Sequence, residues 1–136
     1  MHRYQLIEHT ADIGLTARGR TMGEAFGNAA FGMFAIMTEI RRVREQVSLT
    51  VNIRETSLET LLVAWLDELL YINDVEHLLF RRFEVVLLPE NRLEATCIGD
   101  HFDQSRHQMK IGIKATTYHT LRVDTERNLV RVIFDI

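Results

Sequence analysis

Apolar and polar residues alternate along Tyr4–Ile7 and again along Ile13–Ala17, with the polar run His9–Asp12 between them. A period of two marks strands with one buried face. The pattern then changes to a helical one over Thr21–Ile40. Ala25, Phe26, Ala29, Phe34 and Met37 help form an apolar stripe there, and Thr21 with Glu24 offers a capping box at its start. Gly23, Gly27 and Gly32 interrupt this helix, each at a cost of up to about 1 kcal/mol. Such a helix depends on packing, and its glycines suit close approach to a sheet. Val47–Ile53 alternates as a strand. Thr56 and Glu59 offer a second capping box ahead of Leu58–Asn73, where Leu58, Leu61, Leu62, Trp65, Leu66, Leu69 and Leu70 keep helical spacing. That places Trp65 in the core.

Phe80–Leu88 and Asn91–Gly99 predict a hairpin turned at "PEN", which holds the only proline, Pro89. The polar stretch Asp100–Met109 leads into two more strands, Ile113–Val123 and Asn128–Ile136. Helices inserted among antiparallel strands define an α+β class. One domain over 1–136 is expected, with an antiparallel-rich sheet or sheets and the two main helices packed on one face.

The chain has 136 residues, 46% apolar and 26% charged, which is long enough to bury a substantial core. Its net charge of −3 argues against a general nucleic-acid binder, so no stable nucleic-acid binding is expected. The one cysteine, Cys97, lies in an alternating strand pattern and is expected to be a buried, inert thiol. The N-terminal sequence lacks an apolar signal-peptide core, and no apolar run approaches the ~18 residues of a membrane span. A cytoplasmic location with no membrane partner is expected. Fourteen of the sixteen basic residues are Arg, so Lys110 and Lys114 stand out; a compact ammonium serves a different purpose from a planar fork.

In the last strand Val130, Val132, Phe134 and Ile136 share one face, with Arg131, Ile133 and Asp135 on the other. With the chain ending at Ile136, its α-carboxylate stands beside Asp135. Two arrangements fit this spacing. Both anions are solvated at a sheet edge, or they converge with Asp12 on a cation. Two carboxylates about 4 Å apart repel by about 4 kcal/mol at an effective dielectric near 20, so a cluster needs a proton, a basic side chain or a metal. Oxygen donors without thiolates suit Ca²⁺ or Mg²⁺. Lys114 either offsets such a cluster or is an ordinary exposed lysine. Tyr118 and His119 suit core positions with satisfied polar tips as well as exposed ones.

Weaker signals surround these. His9 and Asp12 are too poor a pair for a metal signature. His101, Asp103 and His107 in "HFDQSRH" lack the further ligands that zinc would need. Asp67 and Glu68 fall on the polar side of the second helix. No GxGxxG, P-loop, GxSxG or Cys–His arrangement is present. No catalytic residue is assigned, and Glu8, His9, His107 and His119 are left without roles.

The blocks "YQLIEHTADIGL", "GRTMGEAFGNAAFGMFAIMT", "LLVAWLDELLY", "IKATTYHTLRV" and "VIFDI" together resemble the archease family, in order and over the full length. "TMGEAF" departs where an acidic residue more often precedes the Glu, and "WLDELL" where Asn is more usual. The resemblance implies an α+β protein that is not a catalyst itself. It implies a partner, an RtcB-family GTP-dependent RNA ligase of tRNA splicing and RNA repair, whose guanylylation and multiple turnover it promotes. It also implies a divalent metal, calcium first with Mg²⁺ or Mn²⁺ as substitutes, held by Asp12, Asp135 and the carboxylate of Ile136. Lys114 would act with Asp12 and Asp135 in ligase activation, and no small-molecule substrate of its own is implied. The competing classes are a stand-alone metal-dependent hydrolase using Asp12, Asp135 and His9, and a general chaperone-like interaction module.

Overall fold

A computed structural model describes residues 3–8 and 12–136. Its strands are β1 (Tyr4–Glu8), β2 (Asp12–Arg18), β3 (Val47–Arg54), β4 (Leu78–Leu88), β5 (Arg92–His101), β6 (Ala115–Asp124) and β7 (Leu129–Asp135). Two helices, α1 (Met22–Met37) and α2 (Leu58–Glu76), and a short 3₁₀ turn at Ile40–Arg42 complete the described elements. The strands divide into two antiparallel sheets, ordered β1-β2-β7-β6 and β3-β5-β4. Helix α1 packs against β2 of one sheet and β4 of the other, while α2 packs mainly on β6.

The apolar stripes explain this layering. In α1, Ala25, Phe26, Ala29, Met33 and Phe34 are fully buried, and in α2 so are Leu61, Leu62, Trp65, Leu66 and Leu69. Phe34 packs edge-on to Phe80 at 5.7 Å and stacked on Phe83 at 5.9 Å, and Trp65 meets Phe83 at 6.1 Å. The Trp65 indole N–H donates to the Phe26 carbonyl at 3.0 Å, satisfying the one polar atom in this group. Close approach explains the glycines that propensity disfavours. A Cβ at Gly23 would lie 2.6 Å from the Val85 carbonyl oxygen, and one at Gly32 would lie 2.8 Å from Leu15 Cδ2. Cys97 is fully buried, and burial pushes its thiol up to about 12.

Three local expectations shift. The α2 capping box is Ser57 with Thr60, one residue later than Thr56 with Glu59: the Ser57 Oγ accepts from the Thr60 N–H at 3.1 Å, and the Thr60 Oγ1 from the Ser57 N–H at 3.2 Å. At α1, Thr21 caps the Glu24 N–H at 3.0 Å, but the Glu24 carboxylate accepts from Arg20 rather than from Thr21. Ile133, placed on the polar face of β7 by alternation, is 1% exposed. Its side chain covers Gly14, its partner across the register, on the sheet face away from α1.

Candidate functional site

Asp12 opens β2 and Asp135 closes β7, and the two are direct partners in the antiparallel register. On the other side of β7, Asp135 pairs with Ala115, the first residue of β6. The residue before it, Lys114, donates its backbone N–H to the Asp135 carbonyl at 2.8 Å. One sheet end thus gathers Asp12, Asp135 and Lys114 from opposite ends of the chain. Directly opposed residues have Cα atoms about 4.5–5.5 Å apart and project to the same face, so the two carboxylates share it.

The environments of the two acids differ. Asp12 is half-buried, and its Oδ1 is fully covered yet has no hydrogen-bond partner among the described residues. Asp135 is exposed, as is Ile136 at 38%. Neither acid forms an ion pair with a described side chain, whereas Glu45, Glu90 and Asp124 each face an arginine. A covered carboxylate oxygen with no hydrogen-bond donor among the described residues, on the same sheet face as a second acid, is an acceptor set suited to a hard cation. Among the described residues no cluster of three His, Cys, Asp or Glu side chains is arranged for a metal, so this pair would need backbone, terminal or solvent oxygens to complete a shell.

Lys114 is exposed beside this pair. Alternation along β6 fails after Thr117, where the register with β7 shifts and Thr120 adopts φ of 49°. Tyr118 and His119 are consequently exposed, Tyr118 by 59%, rather than core residues. Thr116, by contrast, is buried. Its N–H donates to Asp67 Oδ1 on α2 at 2.9 Å. Asp67 stands in the "WLDELL" departure. It anchors β6 two residues from Lys114, a role the sequence signalled only as an acid on a helix's polar side.

His9 lies outside the described residues, as does the side chain of Glu8, so neither joins the described site. The "HFDQSRH" loop is built as a polar staple. His107 is buried; its Nδ1 accepts from the Asp103 N–H at 2.8 Å, and its Nε2 lies 3.1 Å from Asp100 Oδ1 without the alignment of a full hydrogen bond. Arg106 and the Arg44 N–H satisfy the other oxygen of Asp100. The Asp103 carboxyl is held below its ordinary pKa by bonds from the Ser105 hydroxyl and N–H, with Arg106 adding to the effect. His101 is exposed, and these side chains do not form a three-ligand set.

Two antiparallel sheets around α1 and α2, with a carboxylate pair where strands from the two ends of the chain meet, define an α+β domain whose distinctive chemistry lies at one end of a sheet. The archease protein family model matches residues 4–136, and the chain belongs to that family. It is 37% identical to Protein archease of Sulfurisphaera tokodaii over 98% of this chain and 97% of that one. Protein archease of Thermococcus gammatolerans is 39% identical, covering 91% and 89% of the two chains. The solution structure of Methanobacterium thermoautotrophicum protein 1598 superposes with a TM-score of 0.85 at 33% identity, over 100% of both chains. The α+β architecture expected from the pattern therefore holds. No helix among the described residues is long and apolar enough to cross a membrane.

Proposed function

We propose that this protein, read as one archease-like domain over 1–136, is an accessory factor that activates an RtcB-family GTP-dependent RNA ligase in the cytoplasm. The observation carrying this proposal is the opposed Asp12–Asp135 pair, with the covered Oδ1 of Asp12 unpartnered among the described residues, at one end of the central strands β2 and β7. Asp12 and Asp135, with the α-carboxylate of Ile136 in a chain ending there, would hold a divalent ion, calcium first and Mg²⁺ or Mn²⁺ in its place. Such an ion, when bound, supplies positive charge where a phosphoryl group is transferred, the need of ligase guanylylation. The strand pairing fixes the two backbones side by side, which leaves only side-chain ordering to oppose binding. Lys114 adds an exposed cation for the partner's phosphates, its backbone held by Asp135.

The test is RNA ligation with limiting ligase. Burst-only kinetics should become multiple turnover when this protein is added, and Asp135→Ala should lose both that effect and the stimulation of guanylylation. Unchanged activation by the variant removes the site from the mechanism. Hydrolytic turnover by the protein alone with Mn²⁺ would make it an enzyme instead, and equal protection of unrelated clients would make it a general chaperone. Residues appended after Ile136 should weaken calcium binding in calorimetry; equal affinity excludes the terminal carboxylate.

A further inference from the structure

Charge is unevenly placed on this chain. A concave cavity of about 680 Å³ lies between the start of β1, α1, the 3₁₀ turn and β4, and is lined by Arg3, Arg20, Arg41, Arg81 and Arg82. A second, of about 330 Å³, shares Arg41 and Arg81 with it and adds Arg42, Arg44 and Arg106. Eight of the fourteen Arg thus line two adjoining cavities, against two lining acids, Glu24 and Glu45. The net charge of −3 averages over this segregation. The expectation that the chain does not bind nucleic acid rested on that average.

Some of these guanidiniums are engaged. Glu45 lies 3.7 Å from Arg81 and 3.4 Å from Arg82, Glu84 lies 3.7 Å from Arg82, Glu39 lies 3.4 Å from Arg41, and Arg106 is tied to Asp100 and Asp103. The Glu45 and Glu39 pairs are partly exposed and worth at most about 1 kcal/mol, so a phosphate can displace them. Among the described residues Arg3, Arg20, Arg42 and Arg44 have no ion-pair partner, and Arg42 donates only to the Arg106 carbonyl at 3.4 Å. Arg81 donates to the Val43 carbonyl at 2.9 Å, which fixes its side chain where the two cavities join. The Arg3 guanidinium lies over the Phe31 ring at 4.2 Å, and both line the larger cavity.

We propose that this Arg-lined groove is a second binding site, for the phosphodiester backbone of a single-stranded polynucleotide. The guanidinium forks match phosphate oxygens, and two joined cavities make a track rather than a pocket for one anion. The Arg3–Phe31 stack favours a polynucleotide over an acidic polypeptide, because unstacked bases stack on guanidinium planes and aromatic rings. It also favours a single strand, since a base stacked within a duplex offers no free face. The groove is independent of the proposed ligase site. Arg20 follows the end of β2 opposite Asp12, and the seven residues of that strand span roughly 20 Å.

The experiment is fluorescence anisotropy with labelled single-stranded RNA and DNA oligonucleotides, with EDTA present and no ligase, so its outcome does not depend on metal or activation. Binding of either oligonucleotide at about 50 mM salt, weakening as salt rises, is expected. The R3A/R20A/R44A variant should lose tenfold or more in affinity and about two units of salt slope, roughly 0.7 for each phosphate no longer neutralised. The R3K/R20K/R44K variant should retain the slope, which separates lost charge from lost folding. No binding at that salt, or the same affinity in the alanine variant, overturns the proposal. Displacement of the oligonucleotide by polyglutamate at equal charge concentration also overturns it, making the groove a dock for an acidic protein.

Discussion

Asp12 and Asp135 stand opposite each other across β2 and β7, two carboxylates on one sheet face, with no cation paired to either among the described residues. Like charges directly opposed across a sheet are destabilising. Asp12→Asn relieves that repulsion, so the metal-free variant is expected to melt above the parent in EDTA. Calcium should raise the melting temperature of the parent and leave the variant unmoved. A calcium shift of the same size in both proteins would show that Asp12 binds no ion.

Gly14, two residues along the same face, tests how tightly this strand pair is built. A Cβ there would sit 2.5 Å from Ile133 Cδ1 and 2.6 Å from the Val132 carbonyl oxygen. The side-chain atom can yield, but the backbone oxygen can move only with β7. Gly14→Ala is therefore expected to destabilise by about 1–3 kcal/mol in urea unfolding, and to weaken calcium binding by displacing Asp135. A neutral substitution would mean that the strands separate easily.

Asp67 predicts a contrast between two substitutions. Asp67→Asn keeps an oxygen acceptor for the Thr116 N–H and should leave stability nearly unchanged. Asp67→Ala leaves that buried donor unpaired, at about 1–3 kcal/mol, and should speed hydrogen exchange of the Thr116 amide. Equal stability of the two variants would assign the bond no weight.

Asp103 gives a pH dependence. Its folded pKa is depressed, first by the bonds from Ser105. Its contribution to stability is therefore present above the unfolded carboxylate pKa and is lost as pH falls through the lower folded value. Asp103→Ala should lower the melting temperature at neutral pH and flatten the acid limb of the melting profile. Parallel profiles for parent and variant would exclude Asp103 as a contributor.

Repeating patterns decided much of the fold from sequence alone. Helical spacing in Leu58–Leu70 and alternation in Val47–Ile53 place their apolar faces correctly, because burying one face of a regular element requires one period. Cys97 and Trp65 follow from the same logic. The cap of α2 did not, since Thr56, Ser57, Glu59 and Thr60 offer competing boxes and only the helix's entry into the core selects one.

The candidate site divides along the same line. Sequence supplied its residue types, Asp12, Asp135 and Lys114, and the family resemblance joined them. Periodicity alone left the acids either solvated or convergent, because strand order is a long-range choice. The tertiary structure placed β7 between β2 and β6, which made Asp12 and Asp135 direct neighbours and tied Lys114 to them. It also buried Ile133 on the face that alternation had marked polar, and gathered eight arginines scattered from Arg3 to Arg106. Local periodicity reports which face of an element is buried. Which elements become neighbours depends on packing across the whole chain, and that pairing sets where opposed and like charges meet.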